Sequence, residues 1–279
     1  MNRLDLISAH LAPQHTAVVE RDWVSCEIRE SEKIAILTLT DTKALNAISA
    51  ERVRAVNEKL IELESNPKVS VIIITGTGRA FSAGANIAGL NAIPFPQIMI
   101  NDFFERDWFA VMPTYKKVVI AAINGFCFGG GFELALMCDI LVASDEAKFG
   151  FPEIKLGLFP GAGGTQKLIR EVGKSRAMEY ILTGDMFSAK EALDLRVVSR
   201  IYPKDKLLEE TLKLAKKIAS HSNIATTAAK RAVNIAYEVP LSQGLLWERS
   251  LFNSLLPTND AREGTLAFME KRKPKFTDS

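Results

Sequence analysis

The chain has 279 residues, of which 47% are hydrophobic and 24% charged, and its formal net charge is +2. This length and composition predict one large globular domain, or one domain with an appendage, built around a sizeable core. The near-balanced charge argues against a polyanionic partner, so nucleic acid is a disfavoured ligand. The longest apolar runs have strand length and fall short of the roughly 20 residues of a membrane-spanning helix.

The cysteines and the N-terminal segment indicate the compartment. Three cysteines without CxxC spacing predict neither a disulfide framework nor a structural zinc site, and they favour a reducing environment. Residues 1–22 lack the long apolar stretch of a secretory signal, and we interpret them as an N-terminal leader. We expect the protein to reside in the cytoplasm or the mitochondrial matrix and not to be secreted.

The first predicted elements are a hairpin and a helix. Residues 24–40 alternate apolar and polar side chains around a polar turn, which predicts two antiparallel strands. A helix is then predicted from an N-cap at Ser49 to a stop at Pro67. Its apolar positions share one face: Val53, Val56, Leu60 and Leu63.

Strand-like and helix-like segments then alternate. The segments are "VSVIIITG", "YKKVVIAAING", "GGFELALMCD" and "ILVAS". This alternation predicts an α/β fold with a largely parallel sheet covered by helices. Beyond about residue 205 three helical segments follow. We therefore divide the chain into the leader, a core over 23–204 that holds the active site, and a helical region over 205–279 that forms a lid or an assembly surface.

Several catalytic chemistries lack their residues. The histidines lie in the leader and the helical tail, at His10, His15 and His221, which disfavours a Ser-His-Asp triad and a histidine-rich metal site. There is no GxxxxGK[ST] motif, and the stretch "GTGRAFSAG" places its third glycine outside GxGxxG spacing. We expect no metal and no separate cofactor, neither NAD nor ATP.

Two glycine-rich turns each follow an apolar strand. They are "GRAFSAGANIAGL" after "VIIIT" and "GFCFGGGFELA" after "VVIAAI". A strand that passes through glycines into a helix exposes backbone N–H groups, and two such turns could direct two donors at one thioester oxygen as an oxyanion hole. The alternative is that the glycines only permit tight turns and close packing.

Two glutamates lie among apolar neighbours. Glu133 falls in the first turn of the helix opened by Gly129–Gly131, and Glu153 stands within "FGFPEIKLG". A carboxyl group partly removed from water has a raised pKa, and two facing carboxyl groups divide the roles of acid and base. The alternatives are charge compensation of a helix N-terminus for Glu133 and an ordinary surface loop for Glu153.

Four ordered segments resemble the enoyl-CoA hydratase/isomerase (crotonase) family over about residues 23–276, and they look closest to its short-chain 2-trans-enoyl-CoA hydratases. They are "RAFSAGANI", "NGFCFGGGFELALMCDILVAS", "FGFPEIKLGLFPGAGGTQKLIREVGKSRAMEYILTGD" and "REGTLAFMEKRKPKF". The resemblance implies a spiral of ββα units with a helical C-terminal region, assembled as trimers or as hexamers made of two trimers.

The resemblance also implies roles for individual residues. The N–H groups of Ala85 and Gly130 correspond to the oxyanion hole. Glu133 corresponds to the base that activates water, and Glu153 to the acid that protonates C2. The implied substrate is an acyl-CoA thioester, contacted by Ala83, Asn86 and Ile87 and, in the tail, by Lys271 and Lys273, which could act on a neighbouring subunit. A basic tail that is merely solvated is the alternative for the two lysines.

Three positions depart from the family pattern. Asn86 stands where relatives often have aspartate, Ala88 where they often have lysine, and Arg196 where they often have glycine. The apolar segment 91–112 is a candidate lining for the acyl pocket, although plain core is equally compatible with it.

Other activities remain open on the same scaffold. A Δ3,Δ2-enoyl-CoA isomerase commonly lacks a glutamate at the position of Glu133, so the presence of both acids favours hydration. A 3-methylglutaconyl-CoA hydratase would retain both. A non-enzymatic alternative is a binding protein that contacts RNA through its helical tail.

Overall fold

A computed structural model describes residues 23–88 and 111–279. The predicted leader lies outside these ranges, as does nearly all of the candidate acyl-pocket segment 91–112. The strands are β1 (Val24–Arg29), β2 (Ile34–Leu39), β3 (Val71–Gly76), β4 (Ala80–Ser82), β5 (Val118–Ile123), β6 (Phe126–Phe128), β7 (Ile140–Ser144), β8 (Lys148–Gly150), β9 (Met186–Ser188) and β10 (Arg200–Tyr202). The helices are α1 (Ala50–Ser65), α2 (Gly130–Met137), α3 (Gly164–Val172), α4 (Lys174–Thr183), α5 (Ala189–Asp194), α6 (Leu207–Ala219), α7 (Asn223–Ile235), α8 (Leu241–Leu255) and α9 (Asn259–Met269).

The larger sheet has six strands in the order β1-β2-β3-β5-β7-β10. β1 and β2 form the predicted antiparallel hairpin, and the remaining pairs are parallel. All residues of β5 are buried, as are the first four of β3, which explains their continuous apolar sequences: both faces of the sheet are covered. The predicted α/β fold with a largely parallel sheet is confirmed.

A second sheet of four short strands, β4-β6-β8-β9, stands beyond the carboxyl ends of the long strands. It corrects one expectation, because the glycine-rich turns follow β4 and β6 rather than the long strands β3 and β5 directly. Each of these short strands has only three residues, too few for a periodic pattern to reveal. The unit β5-β6-α2 is thus the strand–strand–helix repeat that the resemblance implies.

Helix α1 begins where the sequence predicts. The hydroxyl of Ser49 accepts a hydrogen bond from the backbone N–H of Arg52, and the four predicted apolar residues are buried. Lys117, the residue before β5, donates hydrogen bonds to the carbonyl oxygens of Leu63 and Asn66, each at 2.6 Å. A cation at a helix C-terminus satisfies free carbonyl groups and opposes the helix dipole, so Lys117 ties α1 to the sheet.

The helical region contains the three predicted helices, α6 to α8, and also α9, which the sequence reading missed. α6 packs on the larger sheet through Leu207, Leu212 and Ala215. By contrast, α7 and α8 have no buried residue. The two helices expose large apolar side chains, among them Val233, Leu241, Leu246, Trp247 and Phe252.

The C-terminal tail folds back along the same chain. The carboxylate of Asp260 accepts hydrogen bonds from the N–H groups of Thr277 and Asp278, and Asp278 pairs with Lys33 at 3.0 Å. Because Lys33 precedes β2, the tail ends at the amino edge of the larger sheet, opposite to the edge that carries the glycine turns. Within residues 23–88 and 111–279, no helix is long and apolar enough to cross a bilayer.

The backbone conformation at Arg196 explains why relatives often have glycine at this position. Its φ is 65°, in the left-handed region that glycine adopts without strain, and the residue is exposed. A left-handed conformation costs a non-glycine residue about 1–2 kcal/mol. Glycine avoids this cost, but it loses more conformational entropy on folding, which offsets part of the gain. Arg196→Gly is therefore expected to raise the free energy of unfolding by about 0.5–1 kcal/mol in chemical denaturation.

The matched control for this substitution is Lys190→Gly. Lys190 is exposed and lies in α5 with ordinary helical geometry, where glycine lowers stability by about 1 kcal/mol. A loss of stability in Arg196→Gly similar to that of the control would contradict the assignment of strain to Arg196.

Candidate active site

The two glycine turns pack directly against each other. A Cβ placed on Gly84 would lie 3.0 Å from the carbonyl oxygen of Phe128 and 3.6 Å from the Cα of Gly129. Gly84 has a φ of 102° and Gly129 a φ of 49°, so both need the conformational freedom of glycine as well as the space. The turn after β4 and the turn after β6 therefore meet at one point.

Each predicted donor is the residue immediately after one of these glycines. Ala85 follows Gly84, and Gly130 follows Gly129 as the first residue of α2. The N–H groups in the first turn of a helix have no intrahelical acceptor, and within the described part of the chain the N–H of Ala85 has no backbone acceptor either. The structure thus brings together two backbone N–H groups that are free to bind one oxygen atom.

Glu133 is held by a loop that precedes α3. The Oε1 atom of its carboxyl group accepts hydrogen bonds from the N–H groups of Ala162, at 2.7 Å, and Gly164, at 2.8 Å. The side chain is buried in the first turn of α2, as the sequence predicts. Because both bonds fall on one oxygen, Oε2 is the atom left to bind a water molecule.

The environment of Glu133 shifts its proton affinity strongly. Burial raises the pKa of Glu133 to about 7, while the two N–H bonds from Gly164 and Ala162 oppose the shift. The nearby charge of Glu153 adds to the rise. A carboxyl group with such a pKa exchanges protons near neutral pH, as a general base requires.

Glu153 lies close to the glycine turn that opens α2. It lies in a 3₁₀ turn over Pro152–Leu156, and a Cβ on Gly129 would be only 2.7 Å from its Oε1 atom. Burial also raises the pKa of Glu153. Its Oε2 atom is buried and has no hydrogen-bond partner within residues 23–88 and 111–279. Both acids therefore lie at the N-terminus of α2, and their catalytic roles stay a prediction.

The remaining predicted contacts divide into two groups. Ala83, Asn86 and Ile87 surround the Ala85 turn, and the side chains of Asn86 and Ile87 are exposed where a bound molecule could reach them. Lys271 and Lys273 lie in the tail, and within the described residues no hydrogen bond or ion pair joins them to the site. Their contact with CoA, in this subunit or a neighbouring one, remains a prediction.

Sequence reasoning missed the loop that orients Glu133. The segment "GAGG", residues 161–164, follows Phe159-Pro160 and opens α3, so it carries the same signal of glycines at a helix start that identified the other two turns. Gly164 also has no room for a side chain, since its Cβ would lie 2.7 Å from the ring of Phe151.

The family model for enoyl-CoA hydratase/isomerase matches residues 29–279. The chain belongs to the enoyl-CoA hydratase/isomerase family. It is 44% identical over 258 residues to the mitochondrial enoyl-CoA hydratase of Pongo abelii, covering 92% of this chain and 88% of that protein. It is 41% identical over 251 residues to the 2,3-dehydroadipyl-CoA hydratase of Escherichia coli, covering 89% and 97%.

A solved structure agrees with these relatives. The crystal structure of an enoyl-CoA hydratase subunit I from Geobacillus kaustophilus superimposes with a TM-score of 0.88 at 40% identity, covering 92% of this chain and 98% of that one. The crotonase fold implied by the four sequence segments is thereby confirmed. Its relatives are named as hydratases, and the chain is an enzyme of this family.

Proposed function

We propose that this member of the family is a 2-trans-enoyl-CoA hydratase, which adds water across a conjugated double bond to give a 3-hydroxyacyl-CoA. The observation that carries the proposal is the convergence of Glu133, Glu153 and the N–H groups of Ala85 and Gly130 at one helix N-terminus. The named activities of the relatives support the same reaction.

In the proposed mechanism a water molecule lies between the two carboxyl groups. The ionised Oε2 atom of Glu133 removes a proton from this water while its oxygen forms a bond to C3. The electrons of the double bond move toward the thioester, whose oxygen gains negative charge. The protonated carboxyl group of Glu153 then gives its proton to C2, which leaves Glu133 protonated and Glu153 ionised. Proton exchange with solvent removes the proton from Glu133 and returns one to Glu153, so each turnover adds the elements of one water molecule to the substrate.

The backbone donors supply the electrostatic part of catalysis. The N–H groups of Ala85 and Gly130 would bind the thioester oxygen and favour its enolate form, in which the negative charge is greatest. The N-terminal end of α2 adds its partial positive charge at the same point. No cofactor is needed in this mechanism, since CoA is part of the substrate.

Two observations weigh on the alternative functions. An isomerase needs one group to move a proton between C2 and C4, whereas here the buried Glu133 and the half-buried Glu153 lie around one turn. The acyl group stays open, and a branched or carboxylated chain, as in 3-methylglutaconyl-CoA, is compatible with the same machinery. A purely RNA-binding role would not account for the raised pKa values of Glu133 and Glu153 or for the two N–H donors beside them.

The test is hydration of crotonyl-CoA by the purified protein, followed by the loss of conjugated-enoyl absorbance and by identification of 3-hydroxybutyryl-CoA. A series of enoyl-CoA thioesters from C4 to C16 defines the acyl preference. Conversion of 3-enoyl-CoA without any hydration would instead support the isomerase. No turnover of any of these thioesters would contradict the proposal.

The pH dependence of the reaction follows from Glu133. Below its pKa of about 7 the group is protonated and unable to accept a proton from water. We expect kcat/KM for crotonyl-CoA to fall about tenfold per pH unit below that value, because kcat/KM reports ionisations of the free enzyme. A flat profile between pH 5 and 8, measured at constant ionic strength with stability checked at each pH, would contradict the assignment.

We also propose that the helical region mediates assembly into trimers or hexamers. Helices α7 and α8 bury no residue within the chain, although they carry large apolar side chains. Light scattering coupled to size exclusion measures the assembly directly, and a stable monomer would contradict it.

For the cellular location, we propose the cytoplasm or the mitochondrial matrix, which are compatible with the free cysteines of the described residues.

A further inference from the structure

The chain just before α1 is strained at two consecutive residues. Leu45 has a φ of 52° and Asn46 a φ of 56°, although neither is glycine. Such a conformation is strained for a residue other than glycine and persists only where the surrounding contacts require it, often at functional sites. Asparagine tolerates this conformation better than leucine does. The strain at Leu45 and Asn46 therefore indicates that the path of the neighbouring backbone is fixed by its contacts.

The strained turn lays the following backbone along the predicted oxyanion turn. The carbonyl oxygen of Leu45 accepts from the N–H of Ala83 at 2.9 Å. Ile48 then donates to the carbonyl of Gly84 at 2.8 Å and accepts from the N–H of Asn86 at 2.8 Å. These bonds engage the backbone on both sides of Ala85, whose own N–H makes no backbone hydrogen bond to any residue that the structure describes.

The side chain of Asn46 fastens the start of this turn. It is fully buried, and its Nδ2 atom donates to the carbonyl oxygens of Thr77, at 3.1 Å, and Ala80, at 2.8 Å. Thr77 lies in the short connection from β3 to β4, and Ala80 is the first residue of β4. Among the described residues the buried Oδ1 atom of Asn46 has no hydrogen-bond partner, so the amide is held there at a cost.

We propose that Asn46 is a positioning residue for the oxyanion hole: its two amide bonds fix the strained turn that clamps the Ala83–Asn86 backbone and aims the N–H of Ala85. The inference rests on the proposed function in that the N–H of Ala85 is taken to bind the thioester oxygen. A shift of a few tenths of an ångström would weaken that bond in the enolate more than in the ground state, because the enolate oxygen carries more charge.

A second asparagine provides a matched control. Asn124 also donates to the carbonyl of Ala80, at 3.2 Å, and to that of Gly78, at 3.1 Å. It thus shares one acceptor with Asn46 and fastens the same connection. However, Asn124 lies on the β5 side, and its side-chain bonds reach no residue of the clamp around Ala85.

The experiment compares Asn46→Gly with Asn124→Gly in the full-length protein. Glycine at position 46 keeps the left-handed backbone free of strain, so the loss is confined to the amide bonds. Three quantities are measured: kcat and KM for crotonyl-CoA, the dissociation constant of saturated butyryl-CoA, and the fraction of bound acetoacetyl-CoA that is enolate, from its ultraviolet absorbance. The last quantity reports the oxyanion hole without requiring hydration.

For Asn46→Gly we expect kcat to fall by about 10–100-fold and the enolate fraction to fall in parallel, with the affinity for butyryl-CoA changed less than about threefold. Asn124→Gly should leave the enolate fraction close to that of the wild type at a temperature below both melting transitions. Equal enolate fractions in the two variants would overturn the inference. A wild-type protein that enolises acetoacetyl-CoA without hydrating crotonyl-CoA would reject the proposed function while leaving this inference testable.

Discussion

Replacing Glu133 by glutamine is expected to lower kcat for crotonyl-CoA hydration by about 10²–10⁴-fold, with KM little changed. Glutamine has nearly the same shape, and its amide oxygen accepts the same bonds from Ala162 and Gly164. The variant therefore keeps the geometry but loses the group that accepts a proton from water. The fall in activity below pH 7 should disappear together with the ionisable group.

The stability of this variant provides an independent check. The folded pKa of Glu133 is about 7, raised from 4.5, so folding favours the protonated form. As the pH rises from about 4.5 to 7, the wild type loses the stability of that protonated form, and above pH 7 the loss is complete. Glu133→Gln carries no charge, so above pH 7 it should be more stable than the wild type by up to about 3 kcal/mol.

The control is Glu171→Gln in α3. Partial removal from water raises the pKa of the exposed Glu171 as well, but within the described part of the chain no hydrogen bond or ion pair joins its carboxyl group to the glycine turns. Its substitution should leave kcat within about twofold of the wild type. If Glu133→Gln retained near-normal turnover, Glu133 would not be the base, and the assignment of the mechanism would fail with it.

Local patterns in the sequence predict much of this fold. The face of α1 follows from apolar spacing, and its start follows from Ser49. The position of Glu133 in the first turn of α2 follows from three consecutive glycines. These features depend on residues within a few positions of one another, so that a single segment contains the whole signal.

The rest of the site depends on contacts between distant segments. The hydrogen bonds to Glu133 join residues about 30 positions apart. The clamp around Ala85 joins residues 45–48, which precede α1, to residues 83–86, which follow β4. In the sequence the GAGG loop shows glycines at a helix start, but only the packing of α3 on α2 shows which atom its N–H groups bind. Likewise, nothing in "KALNAI" marks Leu45 and Asn46 as left-handed.

The family resemblance compensated for part of this gap. It placed Ala85, Gly130, Glu133 and Glu153 in one site before any contact was known, and the structure brings all four to the N-terminus of α2. It gave no account of Arg196, for which the positive φ is sufficient explanation. The resemblance thus predicts which residues form the site, whereas the structure shows which contacts hold them in place.

Glu153→Gln is expected to lower kcat by about 10²–10⁴-fold as well, because the proton for C2 is then missing. Its neighbour Gly129 allows the carboxyl group to approach the helix start, and the amide is small enough to occupy the same space. Substrate affinity should be largely preserved. The two acids serve one water molecule, so the double variant with Glu133→Gln should be much less than multiplicatively impaired.

A proton-exchange experiment separates the roles of the two acids. Butyryl-CoA has no double bond to hydrate, yet its C2 proton exchanges with D₂O if a carboxylate at C2 removes and returns it while the N–H groups of Ala85 and Gly130 stabilise the enolate. We expect Glu153→Gln to abolish this exchange and Glu133→Gln to retain it, as measured by mass spectrometry. The reverse result would exchange the two assignments, since the group facing C2 is the one that must transfer this proton.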